Sequence, residues 1–514
     1  MMTFCRFVAA TAFAAAAIVS SPGGARAQSA APALEGSLLV RWADPRPGQT
    51  GGDMRFALAR PDGSVTPLTV APADRAFAIG AFGKTVRVET HDAQAMAGAP
   101  VVAEKITVLG AEKEALEPAA AVTKRVLFIL LRFKGDAQKP HAPAFYAGLT
   151  NPLLPDSALK TPATINGFYS VTSYKKLLWS GDVAGVGGLT ATDWLTLPRT
   201  KTEYADCGWS GVCADLDLLA DDAMKLAKGQ GVDVSGYDNV NLVLNNDLDC
   251  CAWGGGFVFE NKVYGATWEP PWGQEAATYV HEMGHSLGLP HSGWVYYAYD
   301  SPWDEMSSGS TAKFLTCGSY NSANSANATQ TLTCRAPGGG FISAHKDKLG
   351  WIPAANKLVV DKISTQTVAL EGEASPLGSR LKMIKICLVG QPCDGASAHY
   401  LTVEARVKTV AYDKGLPGEG IIVHDFRANR APRGVGNACF FNSTSGWAVP
   451  ADATVNDYRG APNCDAGGRV YPKYALFNAQ YPVGRFYNST TYGIRVDVLS
   501  RSGSVFNVKV TRSK

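Results

Sequence analysis

The sequence predicts a mixed α/β (α+β) central domain flanked by an N-terminal β module and a C-terminal β-sandwich. Three observations predict it. Between residues 123 and 356, apolar runs of strand length alternate with segments of helical periodicity. Before that region, and again after Trp351-Ile352-Pro353, short alternating runs are separated by Gly- and Pro-rich turns. At 514 residues the chain is also too long for one core, so two or three domains are expected.

Taken in order, the chain opens with Arg6, an apolar run from Phe7 to Val19, and small residues at Ala25 and Ala27. That is the order of a secretory signal peptide, assigned to residues 1–27. The apolar run is too short to span a bilayer, and no later segment approaches spanning length. The expected mature protein is exported, extracellular or periplasmic, without an integral membrane segment. The formal charge of +3 includes Arg6 and Arg26, so the mature chain sits near +1. With no basic stripe either, nucleic acid is not an expected partner.

Residues 28–122 read as the β module and its linker, a possible propeptide, with "GSLLVRW" and "KTVRVET" as strands. The central domain, 123–356, begins with "RVLFILLRF", a continuous apolar run of buried-strand length. In "DLDLLADDAMKLAKGQG" the residues Leu216, Leu219, Ala220, Ala223 and Ala227 fall at helical spacing and Gly229 supplies a stop. Val240, Leu242 and Leu244 then alternate as a strand. "GGFVFENKVYGATW" resembles a hairpin whose edge strand could pair with an extended peptide. The last region, 357–514, alternates strands such as "RLKMIKICL" and "GIIVHDF" with turns, and Ser502-Gly503 reads as a hairpin tip.

Cysteine usage agrees with export. Cys5 lies in the signal, and an even set of ten remains, which favours disulfides in an oxidising compartment. Proximity suggests 207–213, 317–334, 387–393 and 439–464. Cys250 and Cys251 either form a vicinal bridge or pair elsewhere. No spacing among them resembles a thiolate zinc site.

The chemistry concentrates in "YVHEMGHSLGLPHSG", Tyr279 to Gly293, which fits two patterns. One is a metal site, His281-Glu282-x-x-His285-x-x-Gly288-x-x-His291. Residues four apart share a helix face, so His281 and His285 can address one ion. Gly288 and Pro290 end the helix and let His291 return as a third ligand. Three nitrogen ligands leave a fourth position open, the arrangement of a catalytic site, with Glu282 beside it. The other pattern is the serine-hydrolase elbow, Gly284-His285-Ser286-Leu287-Gly288. An elbow needs a strand before the serine and a helix after it. Here the preceding residues are helix-like and Gly288, Pro290 and Gly293 follow Ser286, so the metal reading is preferred.

The motif resembles that of the metzincin zinc endopeptidases, and its surroundings resemble the gametolysin branch and, more distantly, immune-inhibitor-A-like secreted proteases. The supporting segments are "HEMGHSLGLPHS", "HKDKLGW" from His345 to Trp351, and "LTVEARVKTVAYDKGLPGEGIIVHDF". The resemblance implies a metzincin-like protease domain holding one catalytic Zn2+ on His281, His285 and His291. It implies Glu282 as general base, Met306 as the Met-turn methionine, and proteins or glycoproteins as substrates. Two features depart from relatives. No tyrosine follows Met306 closely, Tyr320 being a distant candidate, and no cysteine between Ala27 and Cys207 could hold a zinc-blocking thiolate. The alternatives are a secreted glycan- or protein-binding module with a structural zinc, and a serine hydrolase using Ser286. Asp247-Leu248-Asp249 could bind calcium but lacks the usual oxygen spacing, and a solvated loop is expected. His91, His141, His345, His399 and His424 are expected to be packing or surface residues.

Overall fold

The fold is mixed α+β and strand-rich, with few helices set over several sheets. The computed structural model describes residues 33–514 apart from 47–52, 91–98, 111–120, 151–163, 207–210, 293–298, 300, 308, 310, 323–328, 409–410, 431–446, 452–462, 465–469 and 472–478. The expected signal peptide, His91, Cys207 and Cys439 lie outside the described residues.

A twelve-stranded sheet organises the first half of the chain, from Ala33 to Glu269. Its N-terminal strands are β1 (Ala33–Pro45), β2 (Asp53–Ala59), β3 (Val65–Val70), β4 (Thr85–Glu89), β5 (Val101–Ala103) and β6 (Lys105–Val108). The later ones are β7 (Val122–Arg132), β8 (Leu177–Ala184), β9 (Leu195–Thr196), β10 (Asn239–Leu244), β11 (Cys251–Phe259) and β12 (Lys262–Glu269). The main path runs β5-β3-β2-β1-β11-β12-β10-β7-β8. Strands β12, β10, β7 and β8 are mutually parallel, and β11 is antiparallel to β12. The N-terminal module does not stand apart from this sheet. β1 pairs antiparallel with β11, from Arg41↔Gly255 to Pro45↔Cys251, and so continues the sheet beyond the hairpin expected to end it.

Helices cover both faces of the parallel part, which is why its strands are apolar on both sides. They are α1 (Arg75–Gly80) in the module, then α2 (Pro143–Thr150), α3 (Ile165–Thr172), α4 (Lys201–Tyr204), α5 (Leu216–Gly229) and α6 (Ala276–Ser286). In β7, Leu127, Ile129 and Leu131 pack with α5 residues, whereas Val126, Phe128 and Leu130 pack on the opposite face with α3 and α6. Every apolar position expected of α5 is buried, Met224 joins them, and the Asp215 carboxylate caps the helix by accepting from Leu218 N–H. Helix α6 is buried all round, because the sheet lies on one side and residues 303–306 and 341–344 lie on the other.

The C-terminal region forms two sheets around one core. Lys357–Val360, Met383–Cys387, His399–Arg406, Gly420–Arg427 and Ala448–Pro450 make one, and Ser364–Glu371, Phe486–Ser489, Ile494–Ser502 and Val505–Arg512 make the other. Val403, Ile421, Val496 and Val508 meet between them. The buried Arg406 guanidinium ties this region to the segment beside α6, donating to the Trp303 carbonyl at 2.7 Å and pairing with Asp413. Disulfides join Cys317–Cys334 and Cys387–Cys393, and Cys250–Cys251 form a vicinal bridge. The expected pairs 207–213 and 439–464 each include a residue outside the described set. No helix among the described residues is long and apolar enough to cross a membrane.

Candidate metal centre

One turn of α6 separates His281 from His285, so both imidazoles leave the same face of the helix. The helix then closes at Gly288, whose φ of +83° suits glycine and reverses the chain, with Leu289 N–H returning to the Gly284 carbonyl at 3.1 Å. That reversal brings His291 back, its ring centroid 4.7 Å from that of His285 and 5.3 Å from that of His281.

The outward nitrogens fix the tautomers. His281 Nδ1 donates to the Glu305 carbonyl at 2.6 Å and His285 Nδ1 to the Leu289 carbonyl at 2.8 Å. A carbonyl oxygen can only accept, so both protons sit on Nδ1 and both Nε2 atoms present lone pairs inward. His285 is further held neutral by burial, which pushes it down to about 3 against the opposing pull of Asp44.

A fourth group, absent from the sequence motif, completes the cluster. Asp44, near the end of β1, places Oδ2 3.2 Å from the Nε2 atoms of His281 and His285, and Oδ1 3.0 Å from His291 Nε2. His285 Nε2 lies 3.3 Å from His291 Nε2. All four residues are buried, and they are one of three groups among the described residues whose ligand atoms converge closely enough for an ion. In the other two, the sulfurs of Cys317, Cys334, Cys250 and Cys251 are spent in disulfides.

The donor set fits a cation. Inward lone pairs on buried imidazoles repel one another and a carboxylate unless a positive charge lies between them. Four tetrahedral ligands about 2.0–2.1 Å from a zinc ion would stand about 3.3 Å apart, which matches the observed separations.

Glu282 is 1 % exposed and faces Asp44. Burial first, and the Asp44 charge second, hold its carboxyl well above the usual carboxylate range. Met306 lies under the cluster. Its sulfur occupies the space that a Cβ on Gly284 would need, and its carbonyl accepts from Ser292 N–H at 2.9 Å. The preceding Asp304 accepts from the Ser292 hydroxyl and pairs with His345 Nδ1 at 2.9 Å, so His291 and the Met306 turn are braced from the same point.

Tyr299 is the second residue the motif did not reveal. Its hydroxyl donates to Asp44 Oδ1, and its ring lies 5.1 Å from His291 and 6.1 Å from His281. Tyr320 is elsewhere, donating to Asp247 Oδ1 at 2.7 Å. Ser286 is the last residue of α6, and its hydroxyl donates to the Ala266 carbonyl at 3.2 Å, so no strand leads into it as an elbow requires.

The acidic loop departs from expectation. Asp247, Leu248 and Asp249 are buried rather than solvated. Asp249 accepts from the N–H groups of Cys213, Ala214 and Cys251 and from the Trp253 indole, which leaves it organising backbone. His141, His345, His399 and His424 are all buried packing or ion-pair residues, none of them on the surface.

No protein-family model matches the chain, and no curated protein matches it either. The geometry therefore stands on its own residues.

Proposed function

We propose that the protein is an exported zinc-dependent endopeptidase with a metzincin-like catalytic domain, acting on peptide bonds of extracellular proteins or glycoproteins. The observation that carries this reading is the convergence of three buried histidines, two of them with tautomers fixed by backbone carbonyls, with a buried glutamate that is not itself among the ligands. A purely structural site has no use for Glu282.

Bound zinc supplies a Lewis acid that polarises the scissile carbonyl and lowers the pKa of water. His281, His285 and His291 would hold the ion through Nε2. The carbonyls of Glu305 and Leu289 keep the first two imidazoles oriented and in the binding tautomer. Glu282 accepts a proton from the attacking water as the carbon–oxygen bond forms. It delivers that proton to the amine as the carbon–nitrogen bond breaks. Tyr299 can donate a hydrogen bond to an oxygen in the place now held by Asp44 Oδ1. Met306 fills the floor and keeps α6 from shifting.

A second reading has a specific observation in its favour. Asp44 closes the set at four protein ligands, as structural zinc sites do. On that reading the protein is a secreted binding module. Casein or gelatin cleavage that 1,10-phenanthroline abolishes and zinc restores supports the endopeptidase. Stoichiometric zinc with no cleavage under any maturation condition supports the module.

A further inference from the structure

Trp303 opens the turn that ends in Met306, and the C-terminal region holds it by both side chain and backbone. Its indole is fully buried in a cluster with Leu416, Ile422 and Ala479, all of them from the C-terminal region. Its carbonyl accepts from Arg406 Nη1 at 2.7 Å. Each of the next three residues then reaches the metal centre. The Asp304 carboxylate accepts from the hydroxyl of Ser292, the residue after His291. The Glu305 carbonyl accepts from His281 Nδ1 at 2.6 Å, and the Met306 carbonyl accepts from Ser292 N–H at 2.9 Å.

The strand His399–Arg406 shows how the grip is built. Successive side chains of a strand face opposite ways. Leu401, Val403 and Ala405 enter the sandwich core, which leaves Thr402, Glu404 and Arg406 on the outer face. The outer face of a sandwich is ordinarily wet, yet these three residues are 0 % exposed. Arg406 uses every nitrogen there. Nε and Nη2 hold Asp413 at 3.0 and 2.7 Å, Nη1 also reaches Glu404 at 3.1 Å, and Nη2 also reaches the Gly340 carbonyl at 3.4 Å. Asp413 and Glu404 in turn accept from the N–H groups of Gly340 and Ser343. Burying such a set of charges costs desolvation that their attraction barely offsets, so stability alone is a weak reason for it. A rigid planar fork aimed at two backbone carbonyls fixes position instead.

Resting on the metal-centre reading, we infer that Arg406 is a positioning residue for the zinc ligands and that the C-terminal sandwich is part of the metal centre. The fork fixes the Trp303 carbonyl. The turn from Trp303 to Met306 carries that constraint to the back of His281 and to the residue after His291. Holding both imidazoles from behind sets where their Nε2 atoms meet.

Zinc affinity of the full chain, measured by competition with a chromophoric chelator, tests this. The visible spectrum of the Co2+-substituted protein is the second readout. Arg406→Lys keeps a positive charge between Glu404 and Asp413 but cannot span both carbonyls. Zinc should bind about 10–100-fold more weakly, the usual effect of losing a group that orients a ligand, and the Co2+ bands should shift. Val508→Ala, in the sandwich core and outside the Trp303 cluster, should lower the melting temperature and leave both readouts at wild-type values. If Arg406→Lys does not fold, Asp413→Asn loosens the fork with Arg406 in place and should move both readouts the same way. Wild-type affinity and spectrum in the folded Arg406 or Asp413 variant overturn the inference, as does an equal loss of zinc affinity in Val508→Ala. Folded wild type that binds no zinc overturns the metal reading itself, and this inference with it.

Discussion

Trp42 and His285 stack face to face at 4.3 Å, which joins the first strand of the described chain to the helix carrying the metal motif. The indole is 1 % exposed and the imidazole is fully buried. Whatever loosens this contact loosens β1 from β11. Trp42→Ala should cost about 3–5 kcal/mol of stability, the usual range for emptying a buried tryptophan site. Urea unfolding measures it. Limited proteolysis should cut the module faster in the variant, and unchanged stability would show that β1 is not anchored there.

The ligand assignment makes a compositional prediction. Purified protein should hold about one zinc per chain, as a single site requires. Replacing His281, His285 and His291 together by Ala should remove it. Zinc retained at full stoichiometry in the folded triple variant would place the site elsewhere.

The two overlapping motifs separate at one atom. Ser286→Ala deletes a hydroxyl that donates to the Ala266 carbonyl at 3.2 Å and touches none of the histidines. Stability should fall by about 1 kcal/mol, the worth of one such hydrogen bond, with hydrolysis intact. Lost activity in a folded, zinc-loaded variant would restore the serine reading.

Part of this site was legible in the sequence. His281, His285, Gly288 and His291 depend on one another through local helix geometry, which a fixed spacing records. The apolar face of α5 was readable for the same reason. Asp44 was not, because it enters through a pairing between β1 and β11 that no spacing encodes. "GSLLVRW" announced a strand, but a strand's partner is chosen by tertiary packing. Tyr299 sits outside any helix or strand and had no periodicity to mark it. In β10 the apolar Val240, Leu242 and Leu244 alternate with the polar Asn239 and Asn241. They are buried and bonded to each other at 2.7 Å beneath α6, so alternation there reflects internal pairing.

Tyr299→Phe isolates the phenol. The ring stays beside His291 while the donor to Asp44 Oδ1 is lost. On the endopeptidase reading, kcat should fall by up to about 10²–10³, the range for one transition-state donor, with KM little changed. An unchanged kcat would remove Tyr299 from the catalytic account.

His141 offers a pH test away from the metal. It stacks on Phe145 at 3.9 Å, and burial pushes its pKa down to about 4 from an ordinary 6.5. The unfolded chain therefore binds the extra proton first. The contribution is complete above about pH 6.5 and is lost as pH falls from there through about 4, on the order of 3 kcal/mol in all. His141→Phe should flatten that part of the stability–pH curve. An identical slope in the variant would assign the dependence to other groups.

In the proposed mechanism Glu282 moves the proton beside the zinc, and Glu282→Gln removes that step while leaving the ligands in place. Glutamine keeps the side chain's size and hydrogen-bonding reach but cannot take up a proton near neutral pH. Wild type and variant, prepared identically and matched for zinc by elemental analysis, are assayed on one unfolded protein substrate. Zinc content and melting temperature should agree between them while turnover falls by at least about 10²–10⁴-fold. A folded, zinc-replete Glu282→Gln protein that hydrolyses the substrate as fast as wild type would contradict the account.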